Sequence, residues 1–257
     1  VTEGARAHRL AALTTDELAT VLASRTAVAL LPVGSVEPHG PHLPLATDTL
    51  ISERVAAAAA ERLNDEAHRA FVCPSVPYGV TNYAAGFAGA ITVPQEALVA
   101  FLKAVVGGYL DTGFAHVCLV NNHLEPDHDA AIRAAAKGFD AHAVSIACPL
   151  TRRWGRTLSD EYKSGACHAG RYETSLVLEA APAWVKREAA EALPALTVSL
   201  SDGIRAGKKT FADMGLDRAY TGAPAEASAE EGRDLVERLA TMVVTEVTEA
   251  LAKSPES

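Results

Sequence analysis

A rhythm of short apolar runs alternating with helix-periodic segments constrains this fold most. Residues 27–33, AVALLPV, read as a buried strand, and segments 71–76, 116–120 and 141–147 repeat the pattern. Between them, residues 48–63 place Val55, Ala59 and Leu63 on one helical face. Pro94 opens a second helix that should end near Asp111 with Gly113 as its cap, and a third covers about 127–138. Thr14 and Glu17 have capping-box spacing, which predicts a short first helix ending near Ser24. A helix over 173–181, a strand over 196–200 and a terminal helix over 228–252 complete the reading, with 149–166 irregular. Strands and helices in this order imply the α/β class: a three-layer α/β/α arrangement around a mostly parallel sheet. The 257 residues, 49% apolar, are read as one domain over 1–257.

In parallel sheets, ligands bind beyond the carboxyl ends of the strands. Two clusters of metal-ligand residues fall there. Segment 34–48, GSVEPHGPHLPLATD, follows the first strand and offers Glu37, His39 and Asp48 on a loop stiffened by Pro38, Pro41 and Pro44. Asn121-Asn122-His123-Leu124-Glu125 ends the third strand and offers His123 and Glu125. Asp48, at a helix start, can present both carboxylate oxygens and bridge two cations. Five mixed nitrogen and oxygen ligands suit Zn²⁺, Mn²⁺ or Fe²⁺ in an open site better than a Cys-rich structural zinc. Two adjacent divalent metal ions can activate one water and polarise a carbonyl, so the pattern points to a hydrolase. Glu125 has an alternative role as a helix-start carboxylate, because Pro126 follows it.

Charge and cysteine usage exclude other classes. A formal net charge of −9 opposes nucleic acid and anionic membrane surfaces as partners. The apolar runs are far shorter than a membrane span. No signal-peptide pattern is visible in residues 1–12, and Cys73, Cys118 and Cys148 lie in or at the ends of strand-like runs. Reduced thiols and a cytoplasmic location are therefore expected.

Segment 34–48 resembles the signature of the creatininase (creatinine amidohydrolase) family. Further resemblances follow in order: Phe87-Ala88-Gly89-Ala90-Ile91, Asn121-Asn122-His123, His168-Ala169-Gly170-Arg171-Tyr172-Glu173-Thr174-Ser175, and Gly222-Ala223-Pro224-Ala225-Glu226-Ala227-Ser228. The resemblance implies a creatininase-like fold, a binuclear metal centre and hydrolysis of a non-peptide C–N bond in a small cyclic or linear amide. It implies that Glu37 and His123 bind one metal, His39 and Glu125 the other, and Asp48 both. His168 and Glu173 match the family's acid/base pair, and a homo-oligomer, with a hexamer favoured, is expected.

The departures concern substrate. Creatininases proper carry an aromatic residue where this chain has Leu124, a Trp at Ser164 and an acidic residue at Cys167. Metal chemistry is therefore expected to persist while creatinine is not the physiological substrate. Deformylase-like or small-peptide hydrolysis is the enzymatic alternative, and a non-catalytic metal-binding scaffold is the other. Trp154, with Arg152, Arg153 and Arg156, could rebuild a lid that prefers an anionic substrate, or form a solvated interface loop. Thr81, in the long Gly-rich loop 77–89, joins Leu124, Trp154, Ser164 and Cys167 as a substrate-facing candidate. Cys167 is not read as a nucleophile, since adjacent residues seldom face each other. Asp127-His128-Asp129 reads as an exposed acidic helix start.

Overall fold

The computed structural model describes residues 8–253. The Thr14 side chain and Glu17 form the expected capping box, which starts α1 (Thr15–Ser24). There follow β1 (Thr26–Val33), α2 (Thr47–Leu63), β2 (His68–Val72), α3 (Gln95–Thr112), β3 (His116–Asn121), α4 (Pro126–Ala136) and β4 (Val144–Ala147). Two short helices, α5 (Arg152–Gly155) and α6 (Asp160–Ser164), occupy the segment expected to be irregular. Then come α7 (Arg171–Ala180), α8 (Arg187–Glu191), α9 (Leu200–Arg205) and α10 (Ala229–Leu251).

The four strands form one parallel sheet in the order β2-β1-β3-β4. Successive side chains of a strand point to opposite faces, and β1 shows the result. Val28 and Leu30 enter an apolar cluster built from α2, α7 and α10, represented by Val55, Leu176 and Leu239. Ala27, Ala29, Leu31 and Val33 enter a second cluster with Leu102 of α3 and Ile132 of α4. Both faces of the strand are dry, which is why its sequence is continuously apolar rather than alternating. The α/β layers expected from sequence are present, and among the described residues no helix is long and apolar enough to cross a membrane. From β1 the chain pairs once to each side, so the carboxyl ends of β1 and β3 form a crevice at the sheet centre.

Several boundaries differ from expectation. β2 ends at Val72, because Pro74 has no N–H for the ladder and Val76 rejoins β1 only as an isolated bridge to Val33. Residues 141–143 form a turn ahead of β4, closed by the Ala143 N–H donating to the Asp140 carbonyl. The strand expected over 196–200 reduces to a single bridge between Leu196 and Gly222, and Leu200 opens α9. Helices α7 and α10 meet where Gly232 lies against the Ser175 backbone.

His116, at the start of β3, is fully buried. Its Nδ1 donates to the His142 carbonyl (2.7 Å), leaving Nε2 to accept from the Ser145 hydroxyl (2.8 Å). Burial lowers its pKa from 6.5 to about 4. The unfolded chain therefore binds the proton first as pH falls, so this contribution is intact above about pH 6.5 and disappears toward pH 4. Between pH 7 and 4.5 the native protein should lose roughly 2 kcal/mol more than a His116→Gln variant. Urea unfolding at both pH values measures this; equal losses would refute it.

Candidate metal centre

The loop after β1 is pressed onto the start of α2. A Cβ on Gly34 would lie 2.7 Å from the Thr49 backbone nitrogen, so only glycine allows this approach. The Glu37 N–H donates to the Leu45 carbonyl (3.1 Å), closing the loop on itself. These constraints bring Glu37 and His39 over Asp48, the second residue of α2. From β3, the Asn121 side chain accepts from the His123 N–H (3.1 Å) and donates to the His123 carbonyl (2.9 Å), holding that residue in the same crevice. The tight turn before α7 delivers His168, and α7 itself delivers Glu173. All six side chains are buried.

The three histidines share one arrangement. The Nδ1 of His39 donates to the Glu37 carbonyl (3.1 Å), Nε2 of His123 to the Val80 carbonyl (2.7 Å), and Nε2 of His168 to the Pro38 carbonyl (3.0 Å). A carbonyl only accepts, so each outer nitrogen carries the proton and the inner nitrogen is free to offer a lone pair. Those inner nitrogens face carboxylates. His39 Nε2 is 3.2 Å from Asp48 Oδ1 and 3.6 Å from Glu173 Oε2. His123 Nδ1 is 3.0 Å from Asp48 Oδ2 and 3.3 Å from Glu37 Oε1. His168 Nδ1 is 3.9 Å from Glu37 Oε1.

Among the described residues, three groups have the closeness a cation requires: Glu37, Asp48 and His123; His39, Asp48 and Glu173; and Glu37, His39 and His168. The first two share Asp48, whose two oxygens point to different histidines. Lone pairs and carboxylates converging in a dry pocket repel one another unless a positive charge lies between them. His39 Nε2 and Asp48 Oδ2 are buried without a hydrogen-bond partner, as ligand atoms would be. The residues present thus fit divalent cations.

The electrostatics agree. Burial alone would lower the pKa of His39, but Asp48 and Glu173 raise it to about 10; for His123, Glu37 and Asp48 outweigh burial and lift it well above its ordinary value. Burial would raise Glu37, yet His123 beside it holds the carboxyl at about 2. Such shifts measure how strongly the carboxylates draw positive charge inward. Burial, opposed by His39 and reinforced by Asp48, leaves Glu173 at about 8. Burial, with the adjacent His39, lowers His168 to about 4.

The other expected site residues fall in different places. Glu125 lines the cavity but stands outside the three groups. Its carboxylate accepts from the N–H groups of Asn82 (2.8 Å) and Tyr83 (3.2 Å), and burial raises it to about 7. Glu173 occupies the place beside His39 and Asp48 expected of Glu125. Thr81 does not line the cavity; its hydroxyl donates to Glu37 Oε2 and so orients that carboxylate. Leu124 and Cys167 line the cavity, and burial pushes the Cys167 thiol far above its ordinary range, which removes its nucleophilic form. Ser164 caps the end of α6, its hydroxyl donating to the Glu161 carbonyl (2.7 Å). Trp154 is packed in the core, its indole donating to Glu246 of α10 (2.6 Å), so it forms no lid.

Other contributors had no local signal in the sequence. Phe211 stacks on His168 with ring centroids 4.4 Å apart, and with Ile204 and Met214 it walls the cavity. His128 is fully buried rather than exposed, its ring 4.6 Å from that of His123 and its Nδ1 accepting from the Val80 N–H (3.2 Å).

Residues 11–247 match the family model described as creatininase, creatinine amidohydrolase. The chain belongs to the creatininase family of amidohydrolases. Among curated creatininase relatives, it is 33% identical over 218 residues to the mycofactocin precursor peptide peptidase of Mycobacterium tuberculosis (strain CDC 1551 / Oshkosh), covering 79% of this chain and 78% of that one. It is 31% identical over 150 residues to the 3-dehydro-scyllo-inosose hydrolase of Thermotoga maritima, covering 58% and 45%. A solved structure named Creatininase Mn superposes with a TM-score of 0.69 at 21% identity, covering 96% of this chain and all of that one, a likeness of fold.

Proposed function

We propose that this chain is a binuclear-metal-dependent hydrolase of a C–N bond in a small amide other than creatinine. The observation that carries the reading is the pair of ligand groups sharing Asp48, each with a histidine whose outer nitrogen is tied to a backbone carbonyl. In this reading Glu37, Asp48 and His123 hold one cation and His39, Asp48 and Glu173 the other, with Zn²⁺ and Mn²⁺ favoured and Fe²⁺ admissible. When bound, the cations supply Lewis acidity to the scissile carbonyl and an activated water.

The chain's own residues do the rest. His168, neutral with its outer N–H anchored on the Pro38 carbonyl, presents Nδ1 to the reacting groups, where it takes up a proton and returns it to the leaving nitrogen. Glu173 accepts from the Ala169 N–H (2.6 Å), which sets its orientation beside His39. Thr81 keeps one Glu37 oxygen turned away from the cluster. Leu124 and Cys167 give the cavity an uncharged, non-aromatic stretch of wall, while Phe211 and Tyr83 supply its aromatic side.

The 33% identity to a relative named a peptide peptidase favours a short linear amide or peptide within this reading. We also expect a cytoplasmic homo-oligomer, a hexamer first, which sedimentation would measure. The deciding experiment is a panel of lactams, formamides and dipeptides given to metal-loaded and chelator-stripped protein. Hydrolysis of at least one class should vanish on stripping and return with Zn²⁺ or Mn²⁺. A fully metallated protein inert toward the whole panel would favour the scaffold alternative.

A further inference from the structure

The cavity over the metal-ligand cluster has a volume of about 50 Å³. Small-molecule pockets usually measure about 300–1,000 Å³. The chamber therefore takes the reacting group and a few waters, not a whole substrate. A second cavity of about 550 Å³ adjoins it and shares its walls at Leu124, Pro126, Cys167, Leu200 and Ile204. A molecule with its scissile bond over the metals can thus extend past Cys167 into this groove.

The charged lining of the groove has one sign. Arg152, Arg156, Lys163 and Arg205 line it, and no carboxylate among the described residues does. This stands out in a chain of net charge −9. Lys163 and Arg205 pair with acids on their own helices, Asp160 (2.6 Å) and Asp202 (2.7 Å). Arg152 and Arg156 have no carboxylate partner among the described residues. They stand four residues apart, at α5 and its C-cap, on one face. Arg153, between them, turns the other way and pairs with Glu249 of α10 (2.5 Å). Trp154 anchors the same helix to the core. The helix therefore holds two arginines at the groove, and a guanidinium without a partner matches a carboxylate in shape and charge.

We propose that this groove is a subsite for a carboxylate carried by the substrate away from its scissile amide, with Arg152 and Arg156 as the recognising groups. The inference rests on the amide-hydrolase reading and names the substrate class: an elongated, anionic amide. Two matched pairs of probes test it. One pair is N-acetyl-alanyl-alanine and its carboxamide; the other is succinyl-alaninamide and acetyl-alaninamide. Metal-loaded wild-type protein should favour the carboxylate member of at least one pair by about tenfold, in affinity by calorimetry and in kcat/KM. The preference should shrink as salt rises, and should fall within about twofold in Arg152→Gln/Arg156→Gln and partly in Arg156→Gln alone. Equal treatment of both pairs by the wild-type protein, or a preference that survives the double variant, would overturn the proposal. Calorimetry separates it from the parent reading: binding preference without hydrolysis of any amide would count against the hydrolase and leave the subsite standing.

Discussion

An Asp48→Ala protein is expected to lose both metals and all measurable hydrolysis in one step. Asp48 is the residue common to the two ligand groups, with Oδ1 3.2 Å from His39 and Oδ2 3.0 Å from His123. Every other member of these two groups can be removed and leave one of the two intact. Removing Asp48 reduces both to two ligands and leaves two histidines and two carboxylates in a dry pocket with no shared anchor. Turnover should fall to about a thousandth or less, roughly 4 kcal/mol of lost transition-state stabilisation. Elemental analysis of the purified variant should find neither site filled, with circular dichroism unchanged. An Asp48→Ala protein that keeps two metals and full turnover would sink the assignment of the centre.

The largest stability effect should come from a residue remote from the chemistry. Gly232 lies in the first turns of α10, where alanine would ordinarily be better by about 1 kcal/mol. Here a Cβ would lie 2.0 Å from the Ser175 carbonyl oxygen and 2.6 Å from its carbon, both backbone atoms of α7. Neither can turn aside as a side chain would, so the helices must separate. Gly232→Ala should therefore destabilise by about 3 kcal/mol, reversing the sign of helix propensity. A fall in Tm of roughly 6 °C or more corresponds to that loss. Because α7 carries Glu173, the variant should also lower metal affinity. A Tm equal to or above that of the parent would show that the helices do not meet here as described.

How much of this could be read from the sequence depended on how local the cause was. Fully buried parallel strands announce themselves as short apolar runs, so the sheet was legible from β1 and β3 alone. Their ends were less so, because Pro74 and the 141–143 turn act through hydrogen bonds rather than hydrophobicity. The candidate ligands Glu37, His39 and Asp48 converge because the stiff loop itself dictates their placement. Glu125 and Glu173 are a different matter. Both are acids near a helix start, and His123-Leu124-Glu125 looks like a ligand pair. Only the fold reveals that the N–H groups of Asn82 and Tyr83 engage Glu125. Trp154 is similar: a large aromatic beside arginines suits a lid or a solvated interface loop, and only the core around it and its bond to Glu246 exclude both. Phe211 could not have been found at all, because nothing in its own segment indicates that it meets His168.

The origin of the cavity walls has a consequence for how such an enzyme changes over time. The six residues around the candidate metal positions sit on the loops after β1 and β3, at the start of α2, in the turn before α7 and in α7, and all but Asp48 are fastened by a main-chain hydrogen bond. Leu200, Ile204, Phe211 and Met214 belong to a separate stretch between α8 and α10, and the arginines to α5. Reactivity and selectivity therefore occupy different parts of one chain. Transplanting 200–214 from a relative should exchange the compounds accepted while the hydrolytic apparatus stays in place.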